Sequence, residues 1–180
     1  MLEQFGRRDG IPSLLTPILR RSWTIERRPS IPMTSEINFV EREVRIAASA
    51  ETIFSLLTNS QEVTRWMGVT AELDPKPGGI YRIDVTGQDI ASGSFVETSP
   101  WTKVVFTWGW ESEDTLVTPG TSTVEITLTE DGSSTLVRLR HSGLPELDRE
   151  SHGMGWDHYL ARLVIAAPGG DPGPDPWKAS

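Results

Sequence analysis

The chain has 180 residues, a net charge of −8 and no cysteine, so disulfides, thiolate metal sites and cysteine nucleophiles are excluded. Residues 1–33 carry six arginines against three carboxylates, and the remainder carries 11 basic against 22 acidic side chains, a balance that repels phosphate backbones and argues against nucleic-acid binding. No apolar run approaches the ~20 residues of a membrane-spanning helix, and a cysteine-free acidic chain fits a reducing cytoplasm.

Residues 1–36 read as a basic N-terminal extension. Pro12, Pro17, Pro29 and Pro32 interrupt it, and no hydrophobic period is sustained. The stretch Ile11–Leu19 is too short and proline-broken for the apolar core of a secretory leader. Met33 stands just ahead of the patterned region, so Met1 and Met33 are both candidate starts. The arginines give the arm a second reading, as a contact for an anionic partner.

From Ile37 the pattern becomes regular. Ile37, Phe39, Val44 and Ile46 suggest a first strand. Ser49 is placed to cap a helix from Ala50, with Glu51 in its first turn, and Ser60 to cap a second short helix, Gln61–Trp66, stopped by Gly68. Strands follow at Thr70–Leu73, around Tyr81, Ile83 and Val85, at Asp89–Thr98 and from Val104 to Trp110. After the polar loop Glu111–Gly120 come two more, around Val124, Ile126 and Leu128 and at Ser134–His141, joined by the hairpin turn Asp131-Gly132. From about Leu147 the period is helical, with Trp156, Leu160 and Leu163 on one face, until Pro168-Gly169-Gly170. A lone long helix after a run of antiparallel strands buries its stripe by lying across the sheet. The expected fold is α+β, of the helix-grip type: a curved antiparallel sheet wrapped around a long C-terminal helix, with two short helices after the first strand. It spans 37–167, and 168–180 is a Pro/Gly-rich tail.

Several motifs in this order resemble the SRPBCC or START-like superfamily, and within it the bacterial branch similar to the activator of heat-shock-protein-90 ATPase. They are Ala48-Ser49-Ala50-Glu51-Thr52-Ile53-Phe54, Arg65-Trp66, Pro77-Gly78-Gly79, Pro100-Trp101, Thr107-Trp108 and Gly155-Trp156. The resemblance implies a cavity between sheet and final helix that holds apolar or amphipathic small molecules. It also implies a final helix cut short here by Pro168. Some superfamily members are enzymes such as polyketide cyclases. Partnership with heat-shock protein 90 belongs to a eukaryotic branch with an additional N-terminal domain and is not carried over.

The side chains assigned to the cavity are Trp66, Tyr81, Phe106, Trp108, Trp110, His141, Trp156 and Leu160. Val104, Phe106, Trp108 and Trp110 share one strand face by alternation, and the helix stripe covers that face. The same rings are also natural core material, since an aromatic buries ~150–250 Å² wherever it packs. His152 and His158 are spaced for different helix faces, so no metal site is assigned; His141 ends a strand near the helix start. Pro77-Gly78-Gly79 lacks the lysine and following helix of a phosphate loop and reads as a turn. No catalytic residue and no cofactor is assigned. The preferred function is non-catalytic binding of a small apolar or aromatic molecule, as carrier or sensor. A cyclase-type enzyme acting on an aromatic substrate and a protein-interaction module are the alternatives, and a homodimer or an unknown protein partner is left open.

The contrast between the arm and the patterned region gives a first prediction. A chain beginning at Met33 should unfold within a few degrees of the full chain by calorimetry. A large loss of stability would show that the arm packs on the domain.

Overall fold

Residues 38–178 are described by the computed structural model; the N-terminal arm, and the expectations about it, lie outside them. Strand β1 (Phe39–Ile46) is followed by helices α1 (Ala50–Thr58) and α2 (Ser60–Val63). Then come β2 (Thr70–Leu73), β3 (Ile80–Asp84), β4 (Ile90–Ser99), β5 (Lys103–Trp108), β6 (Ser122–Asp131) and β7 (Ser134–Ser142), and a 3-10 turn at Glu146–Asp148 leads into α3 (Arg149–Ala166). The strands form one antiparallel sheet in the order β1-β7-β6-β5-β4-β3-β2. Strands β2 to β7 form a meander, and β1 crosses to the far edge beside β7, with α1 and α2 in the crossover. This is the helix-grip fold expected from the sequence. With 18 residues, α3 is ~27 Å long at 1.5 Å per residue, so Pro168 does not shorten it as expected.

Local chemistry sets the boundaries. The Ser49 hydroxyl accepts the Thr52 N–H and caps α1. The cap of α2 is Asn59 rather than Ser60: the Asn59 side-chain oxygen accepts the N–H groups of Gln61 and Glu62, while the Ser60 hydroxyl accepts from Leu73 N–H and ties α2 to β2. In β1 the inward face is Val40, Val44 and Ile46. Phe39 has the opposite parity and lies under the Arg140 guanidinium, 4.0 Å from its ring centre, a cation–π contact on the outer face. Val44 and Ile46 thus lie inward as expected, while at the start of the strand Val40 takes the inward place in register that Phe39 was expected to hold.

The core lies between the inner sheet face and the helices. Ile83, Phe95, Val104, Phe106, Ile126 and Leu139 project from the strands, Ile53 and Leu56 from α1, and Trp156, Leu160 and Leu163 from α3, all buried. Helix α3 comes close to β1 through Gly153, where an added Cβ would stand 2.9 Å from the Arg42 guanidinium. One turn on, Asp157 receives two hydrogen bonds from Arg42, at 2.5 and 3.0 Å. Sheet curvature is assisted by a bulge between Phe95 and Glu97 on β4.

Close backbone approach at Gly93 on β4 gives a second prediction. A Cβ there would overlap the Thr107 carbonyl oxygen of β5, and a strand backbone cannot swing aside as a side-chain tip can. Gly93→Ala is expected to destabilise the domain by about 2–3 kcal/mol, read as a lower urea midpoint at unchanged slope.

Candidate functional site

The end of β5 and the first half of α3 converge on a cavity of about 600 Å³, within the range of small-molecule sites. At the sheet end Gly109 admits the Thr118 carbonyl where a Cβ would collide with it, and the Trp110 N–H donates to the Val117 carbonyl at 2.7 Å. These contacts set Trp110 beside Trp108, with ring centres 5.4 Å apart and nearly perpendicular planes. Trp156 of α3 stands 5.5 Å from Trp108. Further lining comes from Val85, Asp89 and Ile90 around the β3–β4 turn, Met67 after α2, Glu111 after β5, His152, Gly155 and Tyr159 on α3, and Trp177 of the tail.

Behind the aromatic wall runs a hydrogen-bond chain. The Trp156 indole N–H donates to His141 Nδ1 at 3.0 Å. An indole only donates, so the proton of neutral His141 sits on Nε2, which donates to the Ser122 hydroxyl at 2.8 Å. That hydroxyl donates in turn to the Trp108 carbonyl at 2.9 Å. A second pair repeats the device: the Trp110 indole N–H donates to His152 Nε2 at 3.3 Å, and His152 Nδ1–H donates to the Asp148 carbonyl at 2.7 Å. The two imidazoles meet edge to face at 5.2 Å. Burial, then the neighbouring His152, pushes His141 down to about 3. Trp108 is the exception in the wall: its buried indole N–H has no hydrogen-bond partner among the described residues.

The tail is part of the domain. Arg162, nearly buried on α3, donates to the Trp66 carbonyl at 3.0 Å and the Gly173 carbonyl at 2.9 Å, with longer bonds to those of Pro172 and Pro174. Asp175, whose side chain is fully buried, pairs with His158 Nε2 at 2.9 Å. Burial pushes the Asp175 carboxyl up, but the Trp177 N–H, His158 and Arg162 outweigh it and hold it below the usual carboxylate range. Trp177 then stacks on His158 at 4.0 Å, with planes 13° apart, and meets Tyr159 edge-on. Residues 172–177 of the Pro/Gly-rich tail thus pack against α3, because a buried guanidinium needs these carbonyls.

Of the residues assigned from sequence, Trp108, Trp110 and Trp156 line the cavity. The other five do not. Trp66 is buried in the core with its N–H on the Leu56 carbonyl, Tyr81 stacks on Phe106 at 3.9 Å, Leu160 faces the core, and His141 stands behind the wall. His152, Tyr159 and Trp177 were missed. Tyr159 was legible at three residues from Trp156 on the stripe, and His152 at four before it; Trp177 had no local signal. Among the described residues no group of histidines and carboxylates could hold a metal.

Residues 47–167 match the family described as activator of Hsp90 ATPase homolog 1-like protein. The chain belongs to this family. An AHSA1-like protein from Rhizobium etli is 45% identical, with 79% of this chain and 89% of that one covered and a TM-score of 0.62. DynU16, from the dynemicin biosynthetic locus, shares the fold at 22% identity and TM-score 0.68; 78% of this chain is covered, and the chain spans about half, 51%, of that protein. An Aha1 from Colwellia psychrerythraea, solved as a dimer, is 20% identical with TM-score 0.63, covering 73% of this chain and 97% of its own. No curated protein matches. No helix among the described residues is long and apolar enough to cross a membrane.

The buried acceptor His141 gives a third prediction. Unfolded, it takes a proton near its ordinary 6.5; folded, it refuses one until about 3. The unfolded chain therefore binds more protons in that window, and stability falls as pH falls through it. Between pH 6.5 and 5, above the carboxylate range, the loss should reach about 2 kcal/mol. His141→Gln should flatten this slope in urea unfolding followed across pH.

Proposed function

We propose that the protein binds a small apolar or aromatic molecule in the cavity between sheet and α3, as a carrier or sensor rather than a catalyst. The observation that carries this reading is the wall itself: indole rings from β5, the following loop, α3 and the tail around about 600 Å³. Several polar groups near it are already committed. His152 uses both nitrogens; Glu111 is gripped by the Arg82 guanidinium; burial, and next the Asp175 charge, push the Tyr159 phenol up, away from proton exchange near neutral pH. None of these three is a free base poised beside a nucleophile. A cytoplasmic location and a homodimer belong to the same proposal, the latter supported by the dimeric relative from Colwellia psychrerythraea.

Gly155 supplies the test. It lines the cavity, and an added Cβ would meet nothing within 4 Å. Gly155→Leu should fill the space while raising helix propensity, so stability should hold or rise by up to ~1 kcal/mol. Binding of 2-naphthol, followed by quenching of tryptophan emission, should weaken at least about tenfold relative to the parent chain, ~1.4 kcal/mol. If aromatic and fatty ligands leave emission and melting temperature of the parent unchanged, the interaction-module reading replaces this one.

A further inference from the structure

We infer that the cavity selects a cationic amphiphile, an aromatic or alicyclic body carrying a protonated amine, over the corresponding carboxylate. This rests on the cavity-binding reading and adds the charge of its ligand.

Two features point the same way. The first is the density of ring faces. Trp108, Trp156, Tyr159 and Trp177 all line the space. The negative face of an aromatic ring attracts an ammonium group within about 6 Å, most strongly where water is excluded. Such a wall serves a neutral aromatic equally well, so it does not decide the charge alone.

The second feature decides it. The cavity is lined by two carboxylates, Asp89 and Glu111, and by no lysine or arginine. Glu111 is neutralised by the Arg82 fork. Asp89 is not: its carboxylate accepts from the Thr86 hydroxyl at 2.8 Å, and no ion pair to it is present among the described residues. Asp89 belongs to the lining itself, at the β3–β4 turn, so its negative charge borders the same space as the ring faces. Glu113 and Asp114, exposed on the β5–β6 loop that carries Ser112 and Thr115 into the wall, add the same sign. The amino end of α3 favours an anion, but its N-cap Asp148 and first-turn Glu150 already place negative charge there. The Trp108 N–H and Tyr159 hydroxyl of the lining, without a hydrogen-bond partner among the described residues, serve a neutral acceptor as well as a carboxylate. An incoming carboxylate therefore meets like charge with no compensating cation, whereas an ammonium meets Asp89 and the ring faces together.

The test is a matched series on the full chain at pH 7 by calorimetric titration: 2-naphthylmethylammonium, 2-naphthylmethanol and 2-naphthylacetate. The ammonium should bind at least about tenfold more tightly than the acetate, with the alcohol between them. The gap should narrow at high salt. Asp89→Asn, checked for an unchanged melting temperature, should cut the ammonium-to-acetate ratio by more than half. Equal affinities, or a preference for the acetate, would overturn the charge inference and leave the apolar cavity intact. A ratio unaltered by Asp89→Asn would also overturn it, since the preference would then not arise from this carboxylate. If none of the three binds, the cavity reading fails and this inference with it.

Discussion

Four tryptophans around one cavity create a problem that shapes much of the surrounding structure: every indole carries an N–H, and an N–H removed from water without a partner costs about 1–3 kcal/mol. Two histidines answer it for the two rings that bracket Trp108. His141 and His152 accept from Trp156 and Trp110, and each passes its own proton on, to Ser122 and to the Asp148 carbonyl. The first relay links α3 to β7, β6 and the last residue of β5 in one sequence of bonds. Helix placement and wall geometry are therefore one constraint. Only a neutral imidazole can accept and donate at once, which is why burial of His141 in its neutral form is part of the architecture and not an incidental consequence of it.

A second buried group settles the opposite end of α3. Arg162 carries a full charge in a nearly buried position, and its hydrogen bonds reach the Trp66 carbonyl after α2 and three successive carbonyls of the tail. A glycine- and proline-rich segment has few side chains with which to fold, yet its backbone oxygens suit a guanidinium fork. Asp175 follows at the place where its carboxylate meets His158, and Trp177 is thereby delivered to the cavity. The tail is thus held by buried polar contacts as well as by its apolar ring, whereas the rest of the core is chiefly apolar packing.

The fold was legible because it depends on periods. Alternation in β3, β5 and β6, the hairpin at Asp131-Gly132 and the Trp156–Leu160–Leu163 stripe are all local. The errors have physical reasons. Val40 and Phe39 are adjacent apolar residues, so alternation alone left the start of β1 undetermined, and the β7 register decided it. Asn59 and Ser60 are both competent caps, and the choice followed from Ser60 bonding Leu73 instead. The site was less legible, because a ring in the core and a ring in a wall have the same sequence pattern. Tyr81, Phe106 and Trp108 alternate without a break along neighbouring strands, yet only Trp108 reaches the open end. Depth along the strand, which no period encodes, separates packing from lining.

The same depth rule explains how a fold shared with an Hsp90-activator-like family can carry different tasks. The interior rungs of the sheet, with Ile83, Phe95, Val104 and Ile126 fully buried, fix the grip of sheet on helix and leave little latitude for change. The rungs at the open end, the β3–β4 turn and the long β5–β6 loop bear no such load, and with Trp177 of the tail they supply most of the wall. Charge enters there too: Asp89, Glu111, Glu113 and Asp114 all lie on these outer segments. Activity within such a fold follows from residues grafted on its end and not from the fold itself. In this chain those residues are indole rings and carboxylates, Asp89 and Glu111 among them, so the shape and charge of this end are what its own sequence adds to the shared fold.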